Sequence, residues 1–291
     1  MQQSLEFVLQ TIWKHDRFRS PQKAIIESVL DKNDVIALLP TGAGKSICYQ
    51  IPAIISEGIC LVISPLIALM NDQLNSLEKK GIKAMVLSSQ MSFQDTIRAF
   101  DNLKHGNYKL LYLSPEKLQS DIIQEKIKEL QLSFIAIDEA HCISEWGHDF
   151  RPSYLRLSLL KELFPSIAII ALTATATKEV VIDIEKQLKL KKPVIFKESH
   201  FRENLSLNVI YTEDIRAELL DILHRLNEPG IVYVNSRKKT IDLSNFLNRN
   251  QISASYFHGG LTNEEKKSAY QAWISERTKV MVATNAFGMG I

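Results

Sequence analysis

The chain has 291 residues, of which 45% are hydrophobic and 23% charged, and a formal net charge of +2. This composition is that of a soluble globular protein long enough for two domains, and it excludes collagen-like, coiled-coil and low-complexity classes. A charge so near zero supplies no general basic field, so any nucleic-acid site must be a local groove. The three cysteines, Cys48, Cys60 and Cys142, form no C-x-x-C pair, which argues against a zinc module and fits a reducing cytosol. Cys48 and Cys60 lie in apolar runs and read as small core residues. The first residues, Met1 to Glu6, lack the regions of a signal peptide, and no apolar run approaches the roughly 18–20 residues of a membrane span.

Taken in chain order, a short helical leader ends near Trp13-Lys14-His15, and Phe18-Arg19-Ser20-Pro21-Gln22 reads as a turn before a helix. Apolar runs then alternate with amphipathic helices. The runs are 35–39, 60–64, 84–87, 110–113, 134–137, 167–171 and 194–196. Near-continuous Val, Ile and Leu fit strands buried on both faces, and the alternation predicts a parallel sheet of βαβ units. A polar stretch at 198–206 reads as an interdomain hinge. A second series follows at 207–211, 231–235, 254–257 and 280–283. The fold class expected is therefore α/β, with two tandem parallel-sheet lobes over 1–203 and 204–291. The second series stops after a strand and a Gly-rich turn, so that lobe is expected to be truncated and the chain to be a fragment of a longer protein.

The first chemical signal is Leu39-Pro40-Thr41-Gly42-Ala43-Gly44-Lys45-Ser46, between a strand and the helix predicted over 46–55. Glycines let backbone N–H groups turn toward an anion at a helix N-terminus. Lys45 supplies a point charge for the β- and γ-phosphates, and the Ser46 hydroxyl a ligand for Mg²⁺. The strict pattern has Gly where this chain has Leu39. The second signal is Ile135-Ala136-Ile137-Asp138-Glu139-Ala140-His141, in which an apolar strand delivers two adjacent carboxylates to its C-terminal end. Asp138 suits Mg²⁺ coordination, and Glu139 the orientation and deprotonation of an attacking water. His141 either couples this site to a neighbouring motif or caps the strand end.

In the stretch from His141 to Tyr154, Trp146, Phe150 and Tyr154 recur at i, i+4 and i+8, a spacing that suits the core stripe of a helix. Gly147 and Pro152 interrupt such a helix and favour a loop, where Trp146 and Phe150 can stack on bases and Arg151 can grip phosphates. The spacing of His141, Cys142 and His148 matches no zinc module. Two Ser-Pro turns, at Ser64-Pro65 and Ser114-Pro115, each end a strand and open a helix whose N–H groups can bind phosphates.

Together these residues resemble the RecQ family of superfamily 2 DNA helicases, and the resemblance covers the whole chain. It implies two RecA-like lobes with a nucleotide between them. Gln22, Arg19 and His15 are then expected to recognise and stack on adenine, beside Thr41, Gly42, Ala43, Gly44, Lys45 and Ser46 on the phosphates. Catalysis falls to Lys45, Asp138, Glu139 and His141, with Mg²⁺ held by Ser46 and Asp138. The stretches 61–73 and 112–118 are similar to motifs Ia and Ib, which carry Asn71, Gln73 and Ser114. The segment 171–177 matches motif III, and the loop at 141–154 resembles the aromatic-rich loop that distinguishes RecQ helicases. Segments 231–237 and 282–291 resemble motifs IV and V, which place Arg237 and Thr284 on DNA; 256–261 resembles the element between them. Motif VI, with its arginines for the γ-phosphate, is not found in the chain.

The function expected is an ATP-dependent 3′→5′ DNA helicase core, using ATP and Mg²⁺ without zinc, that moves on single-stranded DNA and unwinds duplex junctions in repair and recombination. A monomer in the bacterial cytosol or nucleoid, with no membrane partner, is expected. An RNA helicase of the DEAD/DEAH kind is the first alternative, but it shows S-A-T where this chain has Thr173-Ala174-Thr175 and lacks the aromatic loop. A nucleotide-gated DNA-binding module without turnover is the second.

Overall fold

The computed structural model of the chain describes residues 4–87, 91–146, 149–174, 176–199 and 204–288. The chain divides into two compact units, Met1–Arg202 and Glu203–Ile291. The first holds seven strands: β1 (Val35–Leu38), β2 (Ile59–Ile63), β3 (Ala84–Leu87), β4 (Leu110–Leu113), β5 (Leu132–Ile137), β6 (Ile169–Thr173) and β7 (Val194–Lys197). They form one sheet in the order β3-β4-β2-β5-β6-β1-β7, and every pairing is parallel.

Continuous apolar runs become strands here because both faces of the sheet are covered. Leu61, Ile63, Leu111, Leu113, Ile135 and Ile137 point to one side, against the helices Phe93–His105, Asp121–Lys128 and Lys178–Gln187. Their strand neighbours Cys60, Val62, Leu110, Tyr112, Phe134 and Ala136 point to the other, against the helices Gln22–Leu30, Ile47–Ile55 and Ile67–Glu78. The two-residue alternation of a strand thus divides an unbroken hydrophobic segment between two cores. Helix ends follow local chemistry. Ser92 caps Phe93–His105 through the Asp95 N–H, with Lys104 and His105 in the last turn, where they oppose the helix dipole.

The second unit contains β8 (Gly230–Tyr233), β9 (Ala254–Phe257) and β10 (Val280–Ala283), parallel in the order β8-β10-β9. Its helices include Arg237–Arg249, capped by Ser236, and Asn263–Ile274, opened by a Thr262/Glu265 capping box. The two tandem parallel-sheet lobes expected from the sequence are both present.

The expected strand at 207–211 is not a strand. Leu207, Val209 and Tyr211 are 95%, 81% and 96% exposed, and among the described residues the segment has no ladder partner. Alternating β-prone residues supply propensity, but a strand also needs a neighbour for its N–H and C=O groups. Of the hinge expected at 198–206, residues 200–203 lie outside the described residues.

One polar residue anchors the sheet at the end opposite the loops considered below. Asp34 precedes β1 and is 6% exposed. Its Oδ1 accepts from Lys161 Nζ at 2.8 Å and from the Ile169 N–H at 2.9 Å, and its Oδ2 from the Lys191 N–H at 2.9 Å. One carboxylate thereby registers β1 against the start of β6 and the approach to β7. Removing it leaves a buried ammonium without a counter-charge. Asp34→Ala should destabilise the first unit by about 3–5 kcal/mol in denaturant unfolding, and Asp34→Ala with Lys161→Met should recover much of that loss.

Candidate nucleotide site

A parallel sheet sends the C-terminal ends of all its strands to one edge, and ligands of open α/β sheets bind outside that edge. The neighbours β5, β6 and β1 end there in Ile137, Thr173 and Leu38, so the chain order of distant motifs becomes lateral adjacency. After β1 the chain turns through Gly42 and Gly44, with φ of 81° and 76°. At Gly44 a side chain is excluded twice, since a Cβ would also stand 2.6 Å from Gln22 Nε2.

The loop is braced from the turn before the first long helix. Gln22 Nε2 donates to the carbonyls of Ala43 at 2.9 Å and Gly44 at 3.3 Å, while its Oε1 accepts the Arg19 N–H at 3.0 Å. Arg19 Nη1 donates to the Gly42 carbonyl at 2.7 Å. These bonds use the loop's carbonyls and leave its amides turned away. Among the described residues, the N–H groups of Gly42, Gly44, Lys45 and Ser46 reach no protein acceptor. Ser46 stands at the N-cap of the helix Ile47–Ile55 yet makes no side-chain capping bond, so its hydroxyl is not spent on the helix. His15, Arg19, Gln22, Gly42 and Gly44 line one open cleft of about 800 Å³. Gln22 has a role here that its residue type did not announce. It is 2% exposed, its Nε2 is engaged by the loop carbonyls and its Oε1 accepts one N–H, so it braces the loop.

The carboxylates follow β5. The Asp138 N–H is held by the Ile63 carbonyl at 2.8 Å, and the Tyr154 hydroxyl donates to the Asp138 carbonyl at 2.9 Å. Burial, and then the neighbouring Glu139, push the Asp138 carboxyl up to about 6, although Lys45 nearby opposes the shift. Glu139 has φ 48° and ψ 45°, a left-handed conformation rarely adopted by a non-glycine residue. It sends the chain directly into the tight turn Ala140–Ile143 and aims its carboxylate at His141. Glu139 Oε2 lies 3.3 Å and Thr173 Oγ1 2.8 Å from His141 Nδ1. A carboxylate at that distance favours the proton on Nδ1, leaving Nε2 as the acceptor side of the ring. Nε2 faces Cys142 Sγ at 3.8 Å, and Cys142 Sγ faces Asp149 Oδ2 at 3.8 Å. Burial, and then Asp149, raise the Cys142 thiol to about 12.

The segment after Cys142 is a loop, closed by the Arg151 N–H on the Cys142 carbonyl at 2.9 Å; Gly147 and His148 lie outside the described residues. Its aromatic residues divide by role. Trp146 is 78% exposed and Phe150 half-buried, whereas Tyr154 is wholly buried and holds the Asp138 carbonyl. Arg151 Nη1 donates to the Pro65 carbonyl at 3.0 Å and its Nη2 to Asp149 at 3.2 Å, which ties this loop to the turn after β2. On the helix after β2, Asn71 is exposed, but Gln73 Oε1 accepts from Gln50 at 2.8 Å. Ser114 is 8% exposed and caps the short helix Pro115–Leu118. In the second unit Arg237 is exposed, and its guanidinium rests over Gly260, where a Cβ would come within 3.0 Å of Nη1. Thr284 follows β10 and lines a cavity of about 980 Å³ with Tyr233, Asn235, Lys239 and Asp242. Within the first unit the fold therefore gathers the phosphate-loop residues, Asp138, Glu139 and His141.

Comparison with known proteins gives the family. The DEAD/DEAH box helicase family matches residues 19–184, and the helicase conserved C-terminal domain matches residues 214–291. The chain belongs to the DEAD/DEAH box helicase family. It is 43% identical to the ATP-dependent DNA helicase RecQ of Bacillus subtilis over 95% of this chain and 47% of that protein. It is 40% identical to the RecQ of Pasteurella multocida over 98% of this chain and 45% of that protein. The chain thus spans about half the length of these curated relatives, and the resemblance to RecQ helicases read from its motifs is borne out. A solved structure of Mycobacterium smegmatis helicase Lhr, bound to ssDNA and AMP-PNP, shares the fold. Its TM-score is 0.67 at 20% identity, over 99% of this chain and 42% of that one.

Sequence reasoning missed three participants. Thr173 was visible only as a hydroxyl in a repetitive Thr-Ala segment, and its contact with His141 depends on β5 and β6 being neighbours. Tyr154 shares a helical spacing with Trp146 and Phe150, which hides its different role. Gly260 carries no signal until Arg237 is seen above it.

The raised Asp138 carboxyl has a consequence for stability. The native state binds more protons than the unfolded chain between pH 3.8 and about 6, so stability falls as pH rises through that window. Asp138→Asn keeps the acceptor for the Glu139 N–H and removes the charge. In the absence of divalent cations it should stabilise the first unit by roughly 1–3 kcal/mol at pH 7–8, and the gain should vanish below about pH 4. Denaturant unfolding across pH checks this.

Proposed function

We propose that this chain belongs to the motor core of an ATP-dependent DNA helicase, with residues 1–203 in the ATP-binding lobe and 204–291 in the second lobe. The observation that carries the reading is the loop whose amides at Gly42, Gly44, Lys45 and Ser46 are unspent while its carbonyls are tied down by Arg19 and Gln22. Such a concave set of N–H donors at a helix N-terminus is an anion cradle. The donors beside it fit a magnesium nucleotide. The Ser46 hydroxyl is uncommitted to capping, and Asp138 and Glu139 form a close acidic pair that a divalent cation would relieve.

Bound ATP with Mg²⁺ would supply a phosphoanhydride whose hydrolysis releases free energy for movement. The residues around it have distinct tasks. Thr41 to Ser46 would bind the phosphates, and Lys45 would add its positive charge to them. Ser46 and Asp138 hold the cation. Glu139, fixed by its left-handed backbone and by His141, orients a water and takes its proton. Thr173 holds the His141 ring through Nδ1 and links β6 to that proton acceptor. His15 and Arg19 border the cleft that suits the base and sugar, with Gln22 as the brace of the loop.

The DNA path proposed for the first unit runs along Asn71, Gln73, Ser114, Trp146, Phe150 and Arg151, and in the second unit past Arg237 and Thr284. Exposed Trp146 offers a stacking face that does not distinguish sequences, as a translocating motor requires. The reading extends to single-stranded DNA and duplex junctions as substrates, 3′→5′ polarity, work as a monomer in repair and recombination, and a cytosolic or nucleoid location; the likeness to ATP-dependent DNA helicases is what supports it.

Lys45→Ala should weaken binding of a fluorescent ATP analogue by at least about ten-fold, the loss of one charged phosphate contact; unchanged affinity overturns the loop assignment. In a longer, active form of the protein, Trp146→Ala should lower DNA-stimulated ATP turnover more than basal turnover, and single-stranded DNA should stimulate turnover more than RNA. Equal loss of basal and stimulated rates would make Trp146 a packing residue, and stronger stimulation by RNA would favour an RNA helicase.

A further inference from the structure

No zinc-module spacing is present along the chain among His141, Cys142 and His148. Folding brings a different set together. A ring nitrogen of His141, Cys142 Sγ and a carboxylate oxygen of Asp149 all lie within 4.8 Å of one another, and the ring nitrogen nearest the thiol is Nε2. We propose that these three atoms form a binding site for a thiophilic divalent cation of the zinc class, and that its occupancy arrests the carboxylate centre.

The geometry is close to that of a preformed site. The Nε2–Sγ and Sγ–Oδ2 separations are both 3.8 Å. A tetrahedral zinc with usual bond lengths of about 2.0 and 2.3 Å separates a nitrogen or oxygen from a sulfur by about 3.5 Å, so these two pairs need a contraction of a few tenths of an ångström, and the carboxylate must turn toward the imidazole to bring that pair to about 3.3 Å. His141 and Cys142 are adjacent on the tight turn Ala140–Ile143, and closure of the loop by the Arg151 N–H on the Cys142 carbonyl returns Asp149 to them. The outer contacts are those of a metal-bound imidazole. The Nδ1 side of His141 meets Glu139 and Thr173, contacts that favour a proton on Nδ1 and direct Nε2 to the thiol. His141 and Cys142 are buried and Asp149 half-buried, so the approach is from the Asp149 side. Arg151 now neutralises Asp149, and its second contact, to the Pro65 carbonyl, gives the guanidinium an anchor when the carboxylate turns to a cation.

An N, S, O set selects Zn²⁺ or Co²⁺ over Mg²⁺, which prefers oxygen ligands alone. Binding breaks the Cys142 S–H bond, forms a metal–sulfur bond and releases the proton to solvent. Three protein ligands leave one position open, as in exchangeable rather than structural sites. The consequence for Glu139, which rests on the function proposed above, is electrostatic. A cation on Nε2 makes the Nδ1–H a stronger donor to Glu139, and the carboxylate becomes a poorer base for water.

The test is a Co²⁺ titration of the untagged chain, read by thiolate charge-transfer and ligand-field absorption, followed by displacement with Zn²⁺. Saturation near one equivalent with a thiolate band is expected in the native chain. The band should be lost in Cys142→Ser, and affinity should fall about ten-fold or more in Asp149→Asn. The other cysteines, Cys48 and Cys60, are as buried as Cys142 but, among the described residues, belong to no such cluster of ligand atoms, so the thiolate band should follow Cys142 alone. Absence of a thiolate band, or the same band in Cys142→Ser, overturns the site. Thermal melts without metal report whether each variant folds; if Cys142→Ser does not, unchanged affinity in Asp149→Asn overturns it. In a longer, active form, Zn²⁺ should inhibit ATP turnover of the native protein more than of Asp149→Asn. Binding without inhibition overturns the arrest and leaves the site. A form that turns over no ATP even without zinc counts against the motor reading alone, since the spectra do not depend on it.

Discussion

The arrangement depends on the parallel register of β5, β6 and β1. Because all three run the same way, the residues that follow them emerge together at one edge of the sheet. This is why a loop near residue 45, a pair of acids near 138 and a hydroxyl at 173 meet, although more than a hundred residues separate the first from the last. The pairing rests on hydrophobic cover on both faces and on the buried Asp34 carboxylate at the opposite edge. Such a sheet would be costly to expose on either side, and the flanking helices that cover it also present their N-termini to the site.

Local strain and unfavourable electrostatics gather at this edge. Gly42 and Gly44 hold left-handed backbone, Glu139 does so with a side chain attached, and Asp138 carries a carboxyl raised by burial beside another acid. Glycine takes that backbone without steric cost, but the left-handed Glu139 and the raised Asp138 carboxyl are each unfavourable by themselves and persist because the surrounding packing determines them more strongly than local preference does. Arg19 and Gln22 tie the loop's carbonyls, the Ile63 carbonyl holds the Asp138 amide, and Tyr154 holds the Asp138 carbonyl. Free energy from ordinary packing thereby maintains a set of uncompensated donors and acceptors.

From this edge two short routes lead outward. One passes from Glu139 through His141 to Thr173 on β6. The other leaves by Cys142 and Asp149 to Arg151, and ends on the Pro65 carbonyl after β2. The same loop exposes Trp146. A change in charge or ligation near Glu139 is therefore physically connected to the loop proposed to touch DNA. The connection is a chain of specific polar contacts, each open to separate substitution.

Much of this was legible in the residues alone. The Thr-Gly-Ala-Gly-Lys-Ser loop and the Asp138-Glu139 pair announce their chemistry because glycine, lysine and adjacent acids are needed for reasons local to the chain. Apolar runs alternating with amphipathic helices similarly determine a parallel α/β sheet, since only strands buried on both faces tolerate them. Long-range geometry was not legible. Leu207 to Tyr211 has the composition of a strand without a partner to make it one. Gln22 suits a base edge by type, but only the fold shows its amide bracing the phosphate loop. Trp146, Phe150 and Tyr154 look alike by spacing and end exposed, half-buried and buried. Asp149 meets His141 and Cys142 only because the loop closes. The sequence by itself determined which groups exist and which local backbone they require. The tertiary structure decided which of their hydrogen bonds and charges remain unspent, because that depends on neighbours contributed by distant strands.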